Sequence, residues 1–319
     1  MLIFREHKLA LAALPAVVLV AYSHVALAEM NFTCVPAPNV RLPSVPAPGR
    51  ADPNDTPAAM CPAGLVPQPA ARFAPKGMPA AGARNPAPAA VQGADYFYAD
   101  AYQYATTTSI SGDYTQHAPI VDSNDFHSLA EIAAQSADAL QIVEIGWIVN
   151  VGDPDPQLFV YHWIDGNPTC YNGCGYVQVS ATRVPGMYVS VTDVPQTYAI
   201  QYSGGNWFVG YQGEWIGYFP GTLWSGTYTE IGLAQWFGEI AAGSLAPCTQ
   251  MGAGVFADQP GAASITSETI GSGAADALPG KITNEAYYSA ANFTATGFNY
   301  GGPGACVSDV IFEDGFDGP

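Results

Sequence analysis

Two glutamates stand in apolar, glycine-flanked stretches where a charge is costly. Glu144 lies in the middle of QIVEIGWIVN, and Glu239 follows an aromatic pair in AQWFGEIAAG. A buried carboxylate is strongly unfavourable unless it is paired or protonated. When two carboxyls lie close together, desolvation and mutual repulsion raise one pKa, so one acts as acid and the other as base. The pair therefore predicts acid–base hydrolysis; the alternative is that each glutamate lies at a strand end and faces water.

The sequence offers few of the motifs and residues that other catalytic mechanisms need. The sequence contains no G-x-S-x-G, H-E-x-x-H or Walker motif. Beyond residue 90 the only histidines are His117, His127 and His162, and an isolated histidine such as His162 is more often packed than catalytic. The CYNGC loop lacks the second Cys or His pair of a zinc site. We therefore expect no metal and no cofactor.

Strands are expected to position the two glutamates. In QIVEIGWIVN a period of two puts Glu144 and Gly146 on one face and Trp147 on the other. Gly146 leaves a gap beside Glu144 through which a substrate backbone could approach. From about residue 94, short runs rich in Tyr, Val, Ile, Thr and Trp alternate with Gly, Asn, Asp and Pro. This texture predicts an all-β fold, either an antiparallel β-sandwich or a partly closed barrel.

Helix is expected at two places only. DFHSLAEIAAQSADAL, with Asp125 or Ser128 as its N-cap, has the stronger helical pattern. TEIGLAQW suggests a weaker helical turn.

Composition divides the chain into four parts. Residues 1–28 have the basic start, apolar run and A-L-A site of a cleaved signal peptide, which predicts a secreted or periplasmic protein. Residues 29–90 are rich in Pro and Ala and are expected to form a disordered, extended linker or pro-segment without a core of its own. Residues 91–305 form the β domain, and residues 306–319 form an acidic tail. Whether residues 29–90 inhibit the domain or act as a passive spacer stays open.

Charge is distributed unequally between these parts. Beyond Arg84 there are two basic residues, Arg183 and Lys281, against 23 acidic ones. Such a domain repels phosphate, so nucleic acid is not expected as a partner. The same composition suits acidic surroundings, where carboxylates lose their charge. No second apolar run is long enough to cross a bilayer, so no membrane partner is expected, and the protein is predicted to be a monomer.

The six cysteines all follow the signal peptide, and an even number suits disulfides in an oxidising compartment. Sequence order suggests three pairs: Cys34 with Cys61, Cys170 with Cys174, and Cys248 with Cys306.

Eight short motifs in collinear order resemble the neprosin domain, a family named for a secreted plant prolyl endopeptidase of the glutamic peptidase class. They are EIGW at 144–147, YHWIDG at 161–166, CYNGC at 170–174, GYVQ at 175–178, GNWF at 205–208, GYFP at 217–220, WFGE at 236–239 and MGAG at 251–254. The resemblance implies Glu144 and Glu239 as the catalytic pair, on a sandwich of two antiparallel sheets. Phe237 replaces the first Gly of the family's W-G-G-E, which would narrow or reshape the cleft beside Glu239. The cysteine loop is one residue shorter than in the family, and the turn after Tyr161 is shifted by one residue. The Pro/Ala-rich stretch stands in place of the family's folded pro-domain.

The resemblance implies cleavage after proline in proline-rich peptides or proteins. Together with the residues above, it predicts an acid-acting glutamic endopeptidase that uses the two glutamates and an activated water. A glycoside hydrolase with the same carboxylates and a non-catalytic carbohydrate- or surface-binding β-sandwich are the alternatives. Donors for the oxyanion are sought among Gln178, tyrosines and backbone N–H groups near Gly146 and Gly238. Tryptophans that would stack on a prolyl ring have core packing as their default role. The candidates for substrate or oxyanion binding are Gln178, Trp147, Tyr171, Trp207, Tyr218 and Trp236.

Overall fold

The computed structural model describes residues 32–49, 58–79 and 93–306. Within them the strands are β1 Thr33–Pro36, β2 Leu65–Gln68, β3 Asp95–Thr107, β4 Ser109–Gln116, β5 His127–Gln135, β6 Ile142–Asn150, β7 Asp153–Ile164, β8 Asn167–Pro168, β9 Val177–Gln178, β10 Thr192–Ser203, β11 Asn206–Tyr211, β12 Glu214–Pro220, β13 Ile231–Ala242, β14 Ala263–Ile270, β15 Gly273–Ala274, β16 Leu278–Ile282, β17 Ser289–Thr294 and β18 Gly297–Gly301. A single 3₁₀ turn, Gly221–Trp224, is the one helical element in this part of the chain.

Two antiparallel sheets form the domain, as the all-β prediction requires. One sheet has the order β16-β3-β13-β5-β6-β7-β8. The other has the order β17-β18-β14-β4-β10-β11-β12-β9, with β15 paired to β14. The facing surfaces enclose a core dominated by aromatic and β-branched side chains. Strand β5 lies between β13 and β6, and these three strands carry the site.

Tryptophans tie the two sheets together across this core. The indole of Trp147 on β6 donates to the Thr115 carbonyl at 3.1 Å, and that of Trp236 on β13 donates to the Ser111 carbonyl at 3.0 Å. Both acceptors belong to β4 of the opposite sheet. A buried indole N–H needs such a partner. Trp147 and Trp236 therefore point into the core, which leaves the opposite face of β6 and β13 to carry other residues.

The helix prediction for DFHSLAEIAAQSADAL is wrong, because His127–Gln135 form strand β5. Every residue of β5 is buried, and the strand is hydrogen-bonded on one side to β13 and on the other to β6. These neighbours override the helix preference of its alanines, whose small side chains fit a sheet covered on both faces. Ser128 lies inside the strand. The Asp125 carboxylate caps no helix and instead accepts the backbone N–H groups of Gly243 and Thr249.

The prediction of a weaker helical turn near TEIGLAQW is also wrong, since this stretch leads into β13. Its residues from Ile231 onward pair with β3, so the apolar positions follow a period of two rather than of 3.6.

The Pro/Ala-rich region needs a correction where it is described. Residues 32–49 and 58–79 are not disordered: β1 pairs with β2, and Cys34 is bonded to Cys61 between them. The region still has no core of its own, because it packs on the domain. Ala47 joins a small cluster with Phe208 and Trp215. Disorder was predicted from composition alone, and composition does not register a disulfide or a surface on which an extended chain can lie.

The disulfide pairing suggested by sequence order is confirmed. Besides Cys34–Cys61, Cys170 is bonded to Cys174 and Cys248 to Cys306. The proposed signal peptide and the acidic tail beyond Cys306 lie outside the described residues. Among the helices of the described part, none is long and apolar enough to span a membrane.

Candidate active site

Three glutamates lie together on the outer face of the sheet that contains β5. Glu131 is on β5. The two strands beside β5 carry the other two glutamates, Glu144 on β6 and Glu239 on β13. All three side chains are fully buried. The structure thus brings together Glu144 and Glu239, as the sequence predicted, and adds a third carboxylate between their strands.

Lys76 supplies the charge that balances this cluster. Its Nζ lies 2.6 Å from Glu131 Oε1, 3.1 Å from Glu239 Oε2 and 3.8 Å from Glu144 Oε2, and the lysine side chain is itself fully buried. The contacts to Glu131 and Glu239 are charge-assisted hydrogen bonds, which are strong, and a buried ammonium without such partners would lose its proton. Although burial lowers the pKa of Lys76, the three glutamates raise it well above its ordinary value. Lys76 is therefore a cation at the centre of the site.

Glu144 and Glu239 differ in their hydrogen bonds. Glu239 accepts from Lys76, from the backbone N–H of Gly77 at 3.3 Å and from His127 Nε2 at 3.0 Å. Glu144 accepts from the Trp163 indole at 3.2 Å, and its second oxygen has no hydrogen-bond partner within the described residues. The anionic form is therefore much better supported at Glu239 than at Glu144.

The pKa values follow these contacts. Burial raises the pKa of Glu144 from its usual 4.5 to about 7, even though the Lys76 cation lowers it. Burial also raises the pKa of Glu239, but Lys76 and His127 outweigh it and hold the pKa below its ordinary value. Burial and the neighbouring Glu144 raise the pKa of Glu131 well above normal. The two carboxyls therefore differ in proton affinity: the protonated form is favoured at Glu144 and the ionised form at Glu239.

His127 is a hydrogen-bond partner of Glu239, and its surroundings favour the neutral imidazole. Burial lowers its pKa, and the hydrogen bond to Glu239 offsets part of this effect. A neutral imidazole that faces a carboxylate through Nε2 carries its proton on that nitrogen. His127 thereby donates to Glu239 and fixes the orientation of its carboxyl group.

An extended stretch of chain, residues 72–78, lies across the glutamates. Arg72 pairs with Tyr171 through two backbone hydrogen bonds of 3.0 and 2.9 Å. The Tyr171 hydroxyl faces the Pro75 carbonyl at 3.5 Å, and the Tyr98 hydroxyl donates to the Met78 carbonyl at 3.0 Å. Backbone pairing with side chains anchored in pockets is how enzymes and peptide-binding domains hold extended peptides. We refer to residues 72–78 as the covering segment.

Gly77 allows the covering segment to lie so close to the carboxylates. A Cβ added there would stand 2.2 Å from the Tyr98 hydroxyl oxygen and 2.8 Å from Glu239 Oε2. Both separations are below contact distance, so a residue with a side chain would push the chain away. Lys76 can reach the glutamates because glycine follows it.

Of the candidates for substrate or oxyanion binding, Tyr171 lies at the site. Its ring packs against Tyr161 at 4.8 Å between centroids and against His127 at 6.3 Å. Trp147 and Trp236 point into the core between the sheets, as described above. The others belong to the opposite sheet: Trp207 stacks on Tyr228, Tyr218 packs against Phe208, and the Gln178 amide donates to the Ser180 and Arg183 carbonyls.

The gap predicted beside Gly146 is occupied. A Cβ at this position would stand 2.0 Å from the Ala130 carbonyl oxygen and 2.7 Å from Glu131 Cβ. Gly146 therefore makes room for the neighbouring strand and for Glu131, and it offers no passage to a substrate backbone. Phe237, the departure from the family motif, lies with its ring 5.6 Å from Lys76 Nζ and 6.0 Å from the Tyr98 ring.

Sequence reasoning missed Lys76, Glu131 and His127. The last two belong to the stretch interpreted as helix, although their spacing of four positions also fits one face of a strand. Lys76 lies in a region assumed to lack order. Within the described residues, no group of three or more His, Cys, Asp or Glu side chains is arranged to hold a metal ion.

Comparison with known proteins shows the family of this chain. Two solved structures are weakly similar to this chain: scytalido-glutamic peptidase bound to a peptide-based transition state analogue (10% identity, TM-score 0.37) and SCP-B, a member of the eqolisin family of peptidases, in complex with the tripeptide Ala-Ile-His (11%, TM-score 0.36). Each match covers 65% of this chain and 98% of the other. The model of the Neprosin family matches residues 124–303, which is more than half of the chain and includes both Glu144 and Glu239. The chain belongs to the neprosin family, the peptidase family that its motifs resemble.

Proposed function

We propose that this protein is an endopeptidase of the glutamic type, in which Glu144 and Glu239 activate water for attack on a peptide bond. The observation that carries the proposal is the unequal environment of the two buried glutamates on one sheet face. Glu239 is held as a carboxylate by three donors, whereas Glu144 is held by one indole and has a raised pKa. General acid–base chemistry needs this division of roles.

The chemical steps follow from that division. Glu239 accepts a proton from the water while the water oxygen forms a bond to the carbonyl carbon of the substrate. Glu144 donates its proton to the peptide nitrogen, the C–N bond breaks, and the products are a free carboxyl and a free amine. The proton taken by Glu239 then passes to Glu144, directly or through solvent, which restores the starting state. No covalent bond to the protein is formed, so no nucleophilic side chain is required.

Tyr171 is proposed as a donor to the carbonyl oxygen under attack. Its hydroxyl already faces a peptide carbonyl, that of Pro75, in the covering segment. A donor placed where negative charge develops stabilises the transition state. Burial raises the pKa of Tyr171 well above normal, so the hydroxyl keeps its proton over the working range.

Cleavage after proline is proposed on the same contact. In the covering segment the carbonyl beside Tyr171 belongs to a proline, and the next residue, Lys76, reaches the glutamates. A substrate bound in the same direction would present the bond after its proline to the catalytic pair. Proline-rich peptides also lose little conformational entropy when they are bound as extended chains.

Residues 29–90 are proposed to keep the enzyme latent. The Lys76 ammonium lies between the two glutamates, where the attacking water would have to stand. Protonation of the carboxylates in acid weakens the ion pairs and favours release of the covering segment. We further propose that residues 1–28 direct export as a cleaved signal peptide and that the mature enzyme works in an acidic extracellular medium.

Digestion of a peptide library between about pH 2 and pH 7, with new termini identified by mass spectrometry, tests the proposed function. We expect cuts after proline in the acidic range, and none in Glu144→Gln or Glu239→Gln. Casein and gliadin serve as protein substrates, and a panel of polysaccharides serves as the comparison. Hydrolysis of a polysaccharide with no peptide cleavage at any pH would overturn the proposal in favour of a glycoside hydrolase.

A further inference from the structure

Glu131 makes the shortest contact in the site but has no part in the proposed acid–base chemistry. Its Oε1 lies 2.6 Å from Lys76 Nζ, closer than either catalytic carboxylate. It is fully buried, and its second oxygen has no hydrogen-bond partner within the described residues. An isolated buried carboxylate is unfavourable, so this residue calls for an explanation in terms of what it binds.

The fold holds Glu131 in place from two directions. From the opposite sheet, the Tyr114 hydroxyl donates to the backbone carbonyl of Glu131 at 2.7 Å. From β6, Gly146 provides the space that its Cα and Cβ fill. The carboxylate is thus fixed on the central strand, with Oε1 facing Lys76 of the covering segment. Such a preorganised carboxylate is suited to receiving a cation.

The surroundings of the Lys76 side chain define which cation fits. The ammonium has carboxylate partners on three strands, and the Phe237 ring lies 5.6 Å from Nζ. The side chain is fully enclosed, and Ala74 and Met78 pack against the apolar cluster around it. The ammonium donates hydrogen bonds to Glu131, to Glu239 and to the Gly77 carbonyl at 3.2 Å. A compact ammonium with three donors on a straight alkyl stem matches this arrangement.

We propose that Glu131 makes the cleft a receptor for a primary alkylammonium group. Lys76 fills the receptor within the same chain, and peptides that carry lysine directly after proline compete for it from outside. Such peptides bind as inhibitors, because their ammonium takes the place of the catalytic water. This inference rests on the proposed function for its inhibitory consequence, but the binding itself does not depend on hydrolysis.

Chemical rescue tests the receptor in the full-length protein. Lys76→Ala removes three methylene groups and the ammonium, which together correspond to n-propylammonium. We expect n-propylammonium to raise the melting temperature of Lys76→Ala in a saturable way at neutral pH, with an apparent affinity at least about tenfold above that of n-propanol. The wild-type protein, whose receptor is filled, should show no shift. Phe73→Ala is the matched control, because Phe73 belongs to the same segment and is 79% exposed.

The assignment to Glu131 is tested in the double variant Glu131→Gln/Lys76→Ala. We expect the saturable shift to be lost there. A shift that persists in the double variant, an equal shift with n-propanol, or no shift in Lys76→Ala would each overturn the proposal. If Lys76→Ala does not fold, Lys76→Met and Glu131→Gln form a double-mutant cycle in melting temperature: non-additive effects support the contact, and additive effects refute it.

The inhibitory consequence is measured separately. Ala-Pro-Lys-Gly and its norleucine analogue are compared as inhibitors of the hydrolysis of a lysine-free proline peptide by Lys76→Ala. We expect the lysine peptide to inhibit at least about tenfold more strongly; equal inhibition would contradict the receptor. If no peptide is hydrolysed under any condition, the proposed function fails, while the rescue by n-propylammonium still reports on Glu131.

Discussion

Replacing Glu144 by glutamine is expected to remove activity and to stabilise the protein at neutral pH. Burial raises the pKa of Glu144 to about 7, from 4.5 in an ordinary environment. In the unfolded chain the group loses its proton at a lower pH, so between about pH 4.5 and pH 7 the folded state binds more protons. Stability from this group is therefore present in acid and lost as pH rises through that window.

The size of the effect follows from the shift. At 1.36 kcal/mol for each pKa unit, ionisation of Glu144 lowers the free energy of unfolding by about 3 kcal/mol at pH 8 relative to pH 4. Glutamine has nearly the same shape and is neutral, like the protonated acid. Glu144→Gln should thus gain about 3 kcal/mol over wild type between pH 4 and pH 8, and hydrolysis should fall by about 10²-fold or more because the proton donor is gone.

Denaturant unfolding at about pH 4, 6 and 8, together with initial rates on a proline peptide, measures both quantities. Glu230→Gln is the matched control, because it makes the same chemical change at an exposed position. The control should leave both the pH dependence and the rate unchanged. A variant Glu144→Gln that loses stability at pH 8, or that keeps near-wild-type turnover, would refute the assignment of Glu144 as a buried acid.

Three further outcomes are expected. Glu239→Gln should also abolish hydrolysis while the protein stays folded, but its effect on stability should be the opposite. Because the pKa of Glu239 is lowered, the stability that its carboxylate contributes is present at neutral pH and lost in acid. Unfolding curves should therefore show the variant destabilised at pH 7 and not at the lowest pH. Fluorophosphonate, iodoacetamide and EDTA should leave peptide hydrolysis intact, since the proposed steps use no serine, thiol or metal; strong inhibition by EDTA would contradict them. Wild-type protein shifted from neutral pH to about pH 4 should lose mass through a cut near residues 75–92, and Glu239→Gln should not; an unchanged mass in a fully active wild type would rule out a removable pro-segment.

The parts of the fold that follow from local pattern could be predicted from the sequence. Alternation and aromatic content identify the strands beyond residue 94, and the order of the cysteines gives the three disulfides that the structure contains. Glu144 and Glu239 were chosen because each interrupts an apolar strand, and the structure places both within 4 Å of the same lysine nitrogen. Their proximity was implied by motifs of a known family, because no local rule relates residues so far apart.

The remaining features depend on contacts between distant parts of the chain. The residues of β5 are rich in alanine, and their strand conformation is imposed by β6 and β13, one of them about 100 residues away. Reading this stretch as a helix concealed Glu131 and His127 together. Lys76 was hidden for a different reason: composition predicts the disorder of a Pro/Ala-rich region, but it cannot show that one lysine in it has three carboxylate partners.

Release of Lys76 and the protonation that catalysis needs are linked by the charge of the cluster. With the lysine in place, one cation lies among three buried glutamates, and burial lowers the pKa of His127, which favours its neutral form. Without the lysine, three carboxyls share a buried space in which they cannot all be ionised, so at least one must hold a proton. Acid supplies that proton and at the same time weakens the ion pairs that retain the lysine. In the proposed mechanism, the same titration that opens the cleft loads Glu144 with the proton it donates, so one arrangement of charges is expected to give both latency at neutral pH and activity in acid.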